Sequence, residues 1–242
     1  MASTHMRTAL KWAAGALGVA AGAYAGYVGV TWLRYGHTVP ASADDADPLL
    51  DQFMPVYDVA ERHHIHIAAP AEVTFTAACE QDLMALPVVR AIFKAREIVL
   101  GSEPDTTTHP RGLLALTKSI GWGVLAEIPG REIVMGAVTQ PWEANVVFRA
   151  LPPKDFVVFD EPDYVKIVWT LRADVNGPNA SIFRTDTRAV ATDATARAKF
   201  RRYWSFLSPG IVLIRRASLK PLRADAERRA RLGSLAAHAP AR

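Results

Sequence analysis

Apolar and polar positions alternate most regularly between Tyr164 and Ala191. Val165, Ile167, Trp169, Leu171 and Ala173 fall on one face of a strand over Tyr164–Asp174, with Lys166, Thr170, Arg172 and Asp174 on the other. This is the period of a half-solvated antiparallel strand. Asn176-Gly177-Pro178-Asn179 supplies a turn. A return strand over Ser181–Ala191 sets Phe183, Thr185, Thr187 and Ala189 on the face opposite Arg184, Asp186 and Arg188. Thr192-Asp193 then caps a helix beginning near Ala194, in which Phe200, Tyr203, Trp204 and Leu207 repeat at i, i+3, i+4, i+7. Pro209-Gly210 interrupts it. A proline in a helix interior costs about 3 kcal/mol. A kink is expected there, or two consecutive helices over Ala194–Leu207 and Ile211–Leu232.

Upstream, a strand over Asp58–Ala68 places His63, Ile65 and Ile67 on one face and Arg62, His64 and His66 on the other. Pro70 starts a helix over Ala71–Cys79, with Glu72 in the first turn where the helix dipole favours a carboxylate. Asp82 caps the segment after it, and a second helix over Pro87–Val99 carries Val88, Ala91, Ile92, Ala95 and Val99 as a core-facing stripe. After a loop over Gly101–Arg111, Leu113, Leu114 and Leu116 form a short apolar segment, read as a helix flanking a cavity mouth. Strands over Ile120–Ile128 and Arg131–Thr139 join through Pro129-Gly130; Val146–Phe148 and Phe156–Phe159 are further short strand candidates around Pro152-Pro153. The order is strand, two helices, a run of antiparallel strands and a long C-terminal helix, an α+β layout.

The N-terminal part has a different pattern. His5-Met6 reads as a cloning junction, so Met1–His5 is taken as foreign and 1–11 as a short basic segment with Arg7 and Lys11. Trp12–Leu33 is a run of uncharged residues long enough for a membrane-spanning helix, with Trp12 and Trp32 at its ends. Gly18, Gly22 and Gly26 keep the small-xxx-small spacing that allows close helix approach. Ala41-Ser42-Ala43 has the form of a signal cleavage site. The apolar run exceeds a usual signal core, however, and the retained single-span anchor is preferred. Arg7 and Lys11 before the span, against Arg34 followed by Asp44, Asp45 and Asp47 after it, put the N-terminus in the cytoplasm and the domain outside the membrane. Residues 34–57 read as an Ala-, Asp- and Pro-rich linker with few groups to bury, 58–232 as the domain and 233–242 as a tail.

Composition adds little to this picture, and charge adds more. Half of the 242 residues are hydrophobic, enough for a real core. The single cysteine, Cys79, excludes an internal disulfide. The net charge of +4 conceals an uneven distribution: residues 197–242 hold 12 Lys/Arg against 2 Asp/Glu, and the rest of the chain 16 against 22. Such a basic helix either stays solvated or meets anionic lipid headgroups. No nucleic-acid motif accompanies it.

Chemistry-bearing motifs are sparse. There is no G-x-S-x-G, phosphate loop or dinucleotide fingerprint, and no cofactor is called for. His64 and His66 share a face, but no Cys, Asp or Glu stands at a spacing that completes a metal site. Glu127, Glu132, Asp160 and Glu161 fall at turns or on the outer face, and Asp186 between Arg184 and Arg188 reads as surface cross-strand pairing.

Six stretches carry a resemblance. They are Ile65-His66-Ile67-Ala68-Ala69-Pro70, Gly121-Trp122-Gly123-Val124-Leu125-Ala126-Glu127, Pro129-Gly130-Arg131-Glu132-Ile133-Val134, Thr187-Arg188-Ala189-Val190-Ala191-Thr192-Asp193, Phe200-Arg201-Arg202-Tyr203-Trp204 and Leu213-Ile214-Arg215-Arg216. In this order, from about Asp58 to about Leu232, they resemble the SRPBCC superfamily of START-like, helix-grip proteins, which includes polyketide cyclases and lipid-transfer domains. The likeness is to a bacterial branch with an N-terminal membrane anchor. It implies a curved antiparallel sheet wrapped around the C-terminal helix, with an apolar ligand in an elongated cavity between them. The interruption at Pro209-Gly210 departs from the family's long helix.

On that implied inner surface the candidate cavity residues are Trp122, Met135, Trp169, Phe183, Thr185, Thr187, Phe200, Tyr203 and Trp204. Most have an equally good use as core; the inward hydroxyls of Thr185 and Thr187 need partners. The expected function is a membrane-anchored module that holds or transfers a lipid or isoprenoid-like molecule. The alternatives are a cyclase- or dehydratase-like enzyme on the same fold, or a scaffold with a collapsed cavity.

Overall fold

A computed structural model describes residues 2–39, 41–104 and 106–237. Within them the strands are β1 (Val59–Ile67), β2 (Gly123–Ile128), β3 (Glu132–Thr139), β4 (Phe148–Arg149), β5 (Val165–Val175) and β6 (Ser181–Ala191). They form one antiparallel sheet in the order β1-β6-β5-β3-β2, with β4 paired to the end of β3. The helices are α1 (Ala2–Arg34), α2 (Pro48–Asp51), α3 (Ala71–Glu80), α4 (Pro87–Leu100), α5 (Leu113–Ser119), α6 (Pro153–Val158) and α7 (Ala194–Ala237). The α+β reading therefore holds, with a curved antiparallel sheet and a long C-terminal helix.

The alternation predicted for β5 and β6 sets the sheet's two faces. Ile67, Ile133, Met135, Trp169, Leu171, Ala173 and Phe183 point to the inner face, where they pack with Phe75, Ala77 and Ala78 of α3 and Leu222 and Ala226 of α7. Nearer the start of α7, Val59, Val165 and Ala189 pack with Tyr35, Phe200 and Trp204. Asp193 caps α7, its Oδ1 accepting from the Ala196 amide at 2.7 Å.

The outer face is not half-solvated as expected. Thr170, Arg172, Asp186 and Arg188 are all buried, because residues 43–57 lie over them. Asp47 caps α2 by accepting from the Leu50 amide at 2.9 Å, with Pro48 in the first turn. This turns Leu50 and Met54 onto Val134, Val138 and Val168. The stretch read as a linker with few groups to bury thus buries Asp47, Leu50 and Met54. Phe156 joins the same cluster from α6. That segment is helical rather than the short strand expected over Phe156–Phe159, since Pro152-Pro153 opens a helix with proline in its first turn.

Of the two expectations at Pro209, the pair of consecutive helices does not form: α7 runs unbroken through Pro209 and a second proline, Pro221. A helix proline removes one amide donor and crowds the preceding turn. At both prolines a side chain from another element bonds the carbonyl three residues earlier. Tyr24 Oη donates to the Phe206 carbonyl at 2.6 Å, and Gln81 Nε2 donates to the Ser218 carbonyl at 2.7 Å. These external donors support both weakened turns without a helix end. Of the tail expected over 233–242, α7 takes in residues up to Ala237, and 238–242 lie outside the described residues.

The helix expected at Trp12–Leu33 forms as part of α1, but among the described residues no helix is long and apolar enough to cross a membrane. The run is rich in alanine and glycine and contains Tyr24 and Tyr27, so its mean hydropathy is modest. Its C-terminal half is also engaged with the domain. Tyr27 Oη lies 3.1 Å from Ser208 Oγ, and Arg201 donates to the Trp32 carbonyl while lying 4.3 Å above the Trp32 ring. α1 does not stand off on a flexible reach; it docks beside Pro209.

Candidate functional site

The nine candidate residues separate into three places along the inner face. Trp122, Met135, Trp169 and Phe183 belong to the cluster under α3 and the distal half of α7. Trp122 precedes β2 and sits with its ring 6.1 Å from Trp169. Phe200, Tyr203 and Trp204 belong to the cluster under the first turns of α7, with Phe200 and Tyr203 stacked at 6.1 Å. Thr185 and Thr187 lie between these clusters, where the face turns polar.

There the two hydroxyls have a partner that the strand pattern did not reveal. Arg215 Nη1 donates to Thr185 Oγ1 at 3.0 Å and Nη2 to Thr187 Oγ1 at 2.6 Å. Its guanidinium also lies 5.7 Å from the centre of the Trp169 ring. Directly across from Thr185 in the β1–β6 register is His63. The His63 side chain is 10% exposed, and its Nε2 is buried without a hydrogen-bond partner, 3.7 Å from Glu61 Oε2. The signal for Arg215 was in the helix periodicity. Phe200, Trp204, Ile211, Leu219, Leu222 and Ala226 all pack toward the sheet, and Arg215 occupies a position on that stripe.

Burial governs the charge states of this belt. It pushes the His63 imidazole down to about 4, helped by Arg215, Arg216 and His64, so the ring is neutral at physiological pH. Burial also pulls the Arg215 guanidinium down to about 10 against the opposing pull of Asp186 and Glu61, and it stays charged. Glu61 is raised by burial, with Arg216 and Arg215 opposing. A neutral imidazole, a guanidinium and two hydroxyls can bind an oxyanion or a carbonyl and exchange a proton with it.

On the outer face the charged groups neutralise one another. Asp186 sits 3.2 Å from Arg62 and 3.0 Å from Arg188; Asp174 lies 3.0 Å from Arg172 and 3.1 Å from Arg184; Asp45 lies 2.8 Å from Arg184. Arg188 further donates to Asp51 Oδ1 at 2.5 Å and to the Met54 carbonyl at 2.9 Å. The surface cross-strand pairing expected for Asp186 is therefore a buried network. A cavity of about 20 Å³ among these residues has room for one water. Glu132 is pushed up to about 8, first by burial and then by the Asp47 carboxylate.

The roomier opening lies elsewhere, between α3 and α5. A pocket of about 410 Å³ is lined by Cys79, Glu80, Arg111, Gly112, Leu114, Ala115 and Lys118. Cys79 and Leu114 also pack against the inner-face cluster, so the pocket's floor is the edge of the core. Burial raises the Cys79 thiol to about 11, with Glu127 and Glu80 adding to the shift. At that value the thiol is protonated at neutral pH. Among the described residues no group of three or more His, Cys, Asp or Glu side chains is placed to hold a metal ion.

No protein-family model matches the chain, and no curated protein matches it. Solved structures similar to it include a protein from Chromobacterium violaceum, at 14% identity over 69% of this chain and 96% of that one, with a TM-score of 0.29. A hypothetical protein from Helicobacter pylori is similar at 7% identity over 78% of this chain and 99% of that one, with a TM-score of 0.38. The Zhui aromatase/cyclase from a Streptomyces species is similar at 13% identity over 71% and 94%, with a TM-score of 0.22. Likenesses this distant bear no weight on function, and the fold rests on the strand order and helix packing.

Proposed function

We propose that the domain is a binding module for an apolar small molecule, taken up through the pocket between α3 and α5 and held against the inner face of the sheet. The make-up of that pocket supports the reading. Its volume, about 410 Å³, lies in the range of small-molecule sites, roughly 300–1,000 Å³. Its walls are largely apolar, and its floor is the core cluster holding Trp122, Met135, Trp169 and Phe183. The helix-grip resemblance of the sequence favours the same kind of ligand, a lipid or isoprenoid-like molecule. Attachment to a membrane through α1 is part of the proposal: such ligands partition into bilayers, and anionic headgroups complement the basic second half of α7.

Native mass spectrometry of protein purified without delipidation, and of delipidated protein mixed with a broad lipid panel, tests the binding reading. A bound apolar molecule is expected, lost in Leu114→Arg while the circular dichroism spectrum is unchanged. A domain that stays empty against the whole panel sinks the proposal.

A second reading, an acid–base enzyme of the cyclase or dehydratase kind, is favoured by one observation: a neutral, nine-tenths-buried His63 faces α7. Its test is turnover. If His63→Gln binds ligand as the wild type does and no conversion of any bound compound is seen in either protein, the enzyme reading falls.

A further inference from the structure

The arginines packed against the sheet differ in one respect. Arg62, Arg172, Arg184 and Arg188 each have a carboxylate within 3.2 Å. Arg215 has no carboxylate in ion-pairing contact among the described residues; its bonds go to two neutral hydroxyls. A guanidinium withdrawn from water without a counter-ion is costly, and such a charge is ordinarily paired. Beside it stands a second unmet group, the buried Nε2 of His63. His63 lies across the β1–β6 ladder from Thr185, one of the hydroxyls that Arg215 holds.

The surroundings suit the polar end of an amphipathic molecule. Apolar side chains border the belt on both sides, Trp169, Phe183 and Leu219 on one and Ala189, Ile211 and Trp204 on the other. The first of these sides leads to the pocket. Gln81, two residues beyond the pocket wall at Cys79, bonds the Ser218 carbonyl at 2.7 Å. Ser218 is one helical turn along α7 from Arg215, and its Oγ donates to the Arg215 carbonyl at 2.7 Å. On the sheet side the Trp122 and Trp169 rings lie 6.1 Å apart, in the same core cluster as Leu114 of the pocket wall.

We infer that Arg215, with His63, Thr185 and Thr187, binds the carboxylate of an amphipathic acid whose apolar chain runs along Trp169 and Trp122 toward the α3–α5 pocket. This rests on the apolar-ligand reading and names the ligand's chemical class. Two of Arg215's N–H groups are taken by the threonines, leaving its remaining N–H donors and a His63 Nε2–H for one carboxylate. The carboxylate would give Arg215 the direct ion pair that Glu61, which acts on it only through space, does not. Entry requires the Trp122 and Leu114 side chains to swing aside, since both pack on the core.

The test compares palmitate with methyl palmitate, which share a chain and differ in charge, by titration calorimetry on delipidated full-length protein. Wild type is expected to bind palmitate more tightly than the ester by roughly tenfold to a hundredfold, the range for hydrogen bonds to a charged partner. Arg215→Met should bind the two alike at the ester's affinity, Arg215→Lys should keep part of the preference, and Arg111→Gln with Lys118→Gln should keep all of it. Because Arg215→Met alters packing, the imidazole nitrogen shifts of His63 in the wild type give a second readout. They move with palmitate and not with the ester. Equal affinity of the wild type for acid and ester overturns the inference while the apolar-ligand reading stands, as does a preference lost only in the rim variants. If neither compound binds, this inference falls, and the apolar-ligand reading is decided by the lipid panel.

Discussion

The two faces of the sheet handle buried charge in opposite ways. Outside, four arginines and four aspartates close on one another under the segment 43–57, and each of those arginines has a carboxylate partner. Inside, one arginine sits against an aromatic ring with two hydroxyls for company and an unpartnered imidazole beside it. A network in which every arginine has its carboxylate fixes geometry and leaves no cation for a ligand to neutralise, although Asp186 Oδ1 and Glu132 Oε1 stay buried without a hydrogen-bond partner. A buried cation with no carboxylate in contact is a standing electrostatic demand. The outer face therefore reads as architecture and the inner belt as the place to look for a ligand.

The strongest way to break this contrast is to cut the outer network. Arg188 is 2% exposed and binds Asp186, Asp51 and the Met54 carbonyl, with its guanidinium 4.8 Å over the Tyr57 ring. Removing one partner of a buried ion pair leaves the other charge stranded and typically costs about 3–5 kcal/mol. Arg188→Met is expected to lose stability on that scale in urea denaturation. A loss below about 1 kcal/mol, the scale of an exposed pair, would show that the outer network is ornamental.

The next effect separates the two faces by pH, because Glu132 outside and His63 inside are shifted in opposite directions. Glu132 on the outer side is raised from 4.5 to about 8 by burial, with Asp47 adding and Arg172 and Arg131 opposing. A raised folded value means stability that is full below about 4.5 and is lost progressively as the pH rises to about 8. Asp186, also raised by burial, adds to this fall. His63 on the inner side is lowered from 6.5 to about 4, so its contribution is full above 6.5 and is lost as the pH drops toward 4. Melting temperatures measured from acid to mildly alkaline pH should show Glu132→Gln flattening the loss on the alkaline side. His63→Gln, in contrast, should flatten the loss on the acid side, the smaller of the two. Identical profiles for the wild type and either variant would remove the basis for treating the faces differently.

Sequence pattern revealed the inner face well and the outer face badly, for a physical reason. Period-two alternation reports which side chains share a face, so β1, β3, β5 and β6 could be read from their own residues. It does not report what covers the other face. Arg172, Asp186 and Arg188 alternate as solvated residues do, and only the segment 43–57, far away in the chain, makes them buried. Its signal was present as an Asp47-Pro48 helix start followed by Leu49, Leu50, Phe53 and Met54. The helix break expected at Pro209 failed for a similar reason. The donor that supports its turn, Tyr24, lies 182 residues before the Phe206 carbonyl that it bonds. Arg215 was legible as a charge on an apolar stripe; that no carboxylate among the described residues contacts it became visible only with its neighbours in place.

The smallest expected effect sharpens the comparison most, because the same substitution made on the inner face should do almost nothing to the fold. Arg215→Met removes a guanidinium and keeps most of the side chain's length. It leaves the Thr185 and Thr187 hydroxyls without their donor, a loss of about 1–3 kcal/mol if neither finds another partner. Against that stands the relief of a buried charge with no contacting carboxylate, whose desolvation penalty is several kcal/mol for an ion in a protein interior. The two terms offset, and the unfolding free energy from urea titration should lie within about 1 kcal/mol of wild type. Arg188→Met, made on the opposite face in the same sheet, serves as the internal reference. Equal losses for the two would make Arg215 another structural strut. A near-silent Arg215→Met beside a crippling Arg188→Met would mean that the inner arginine is retained at no benefit to the fold, and its reason must lie in what the domain binds.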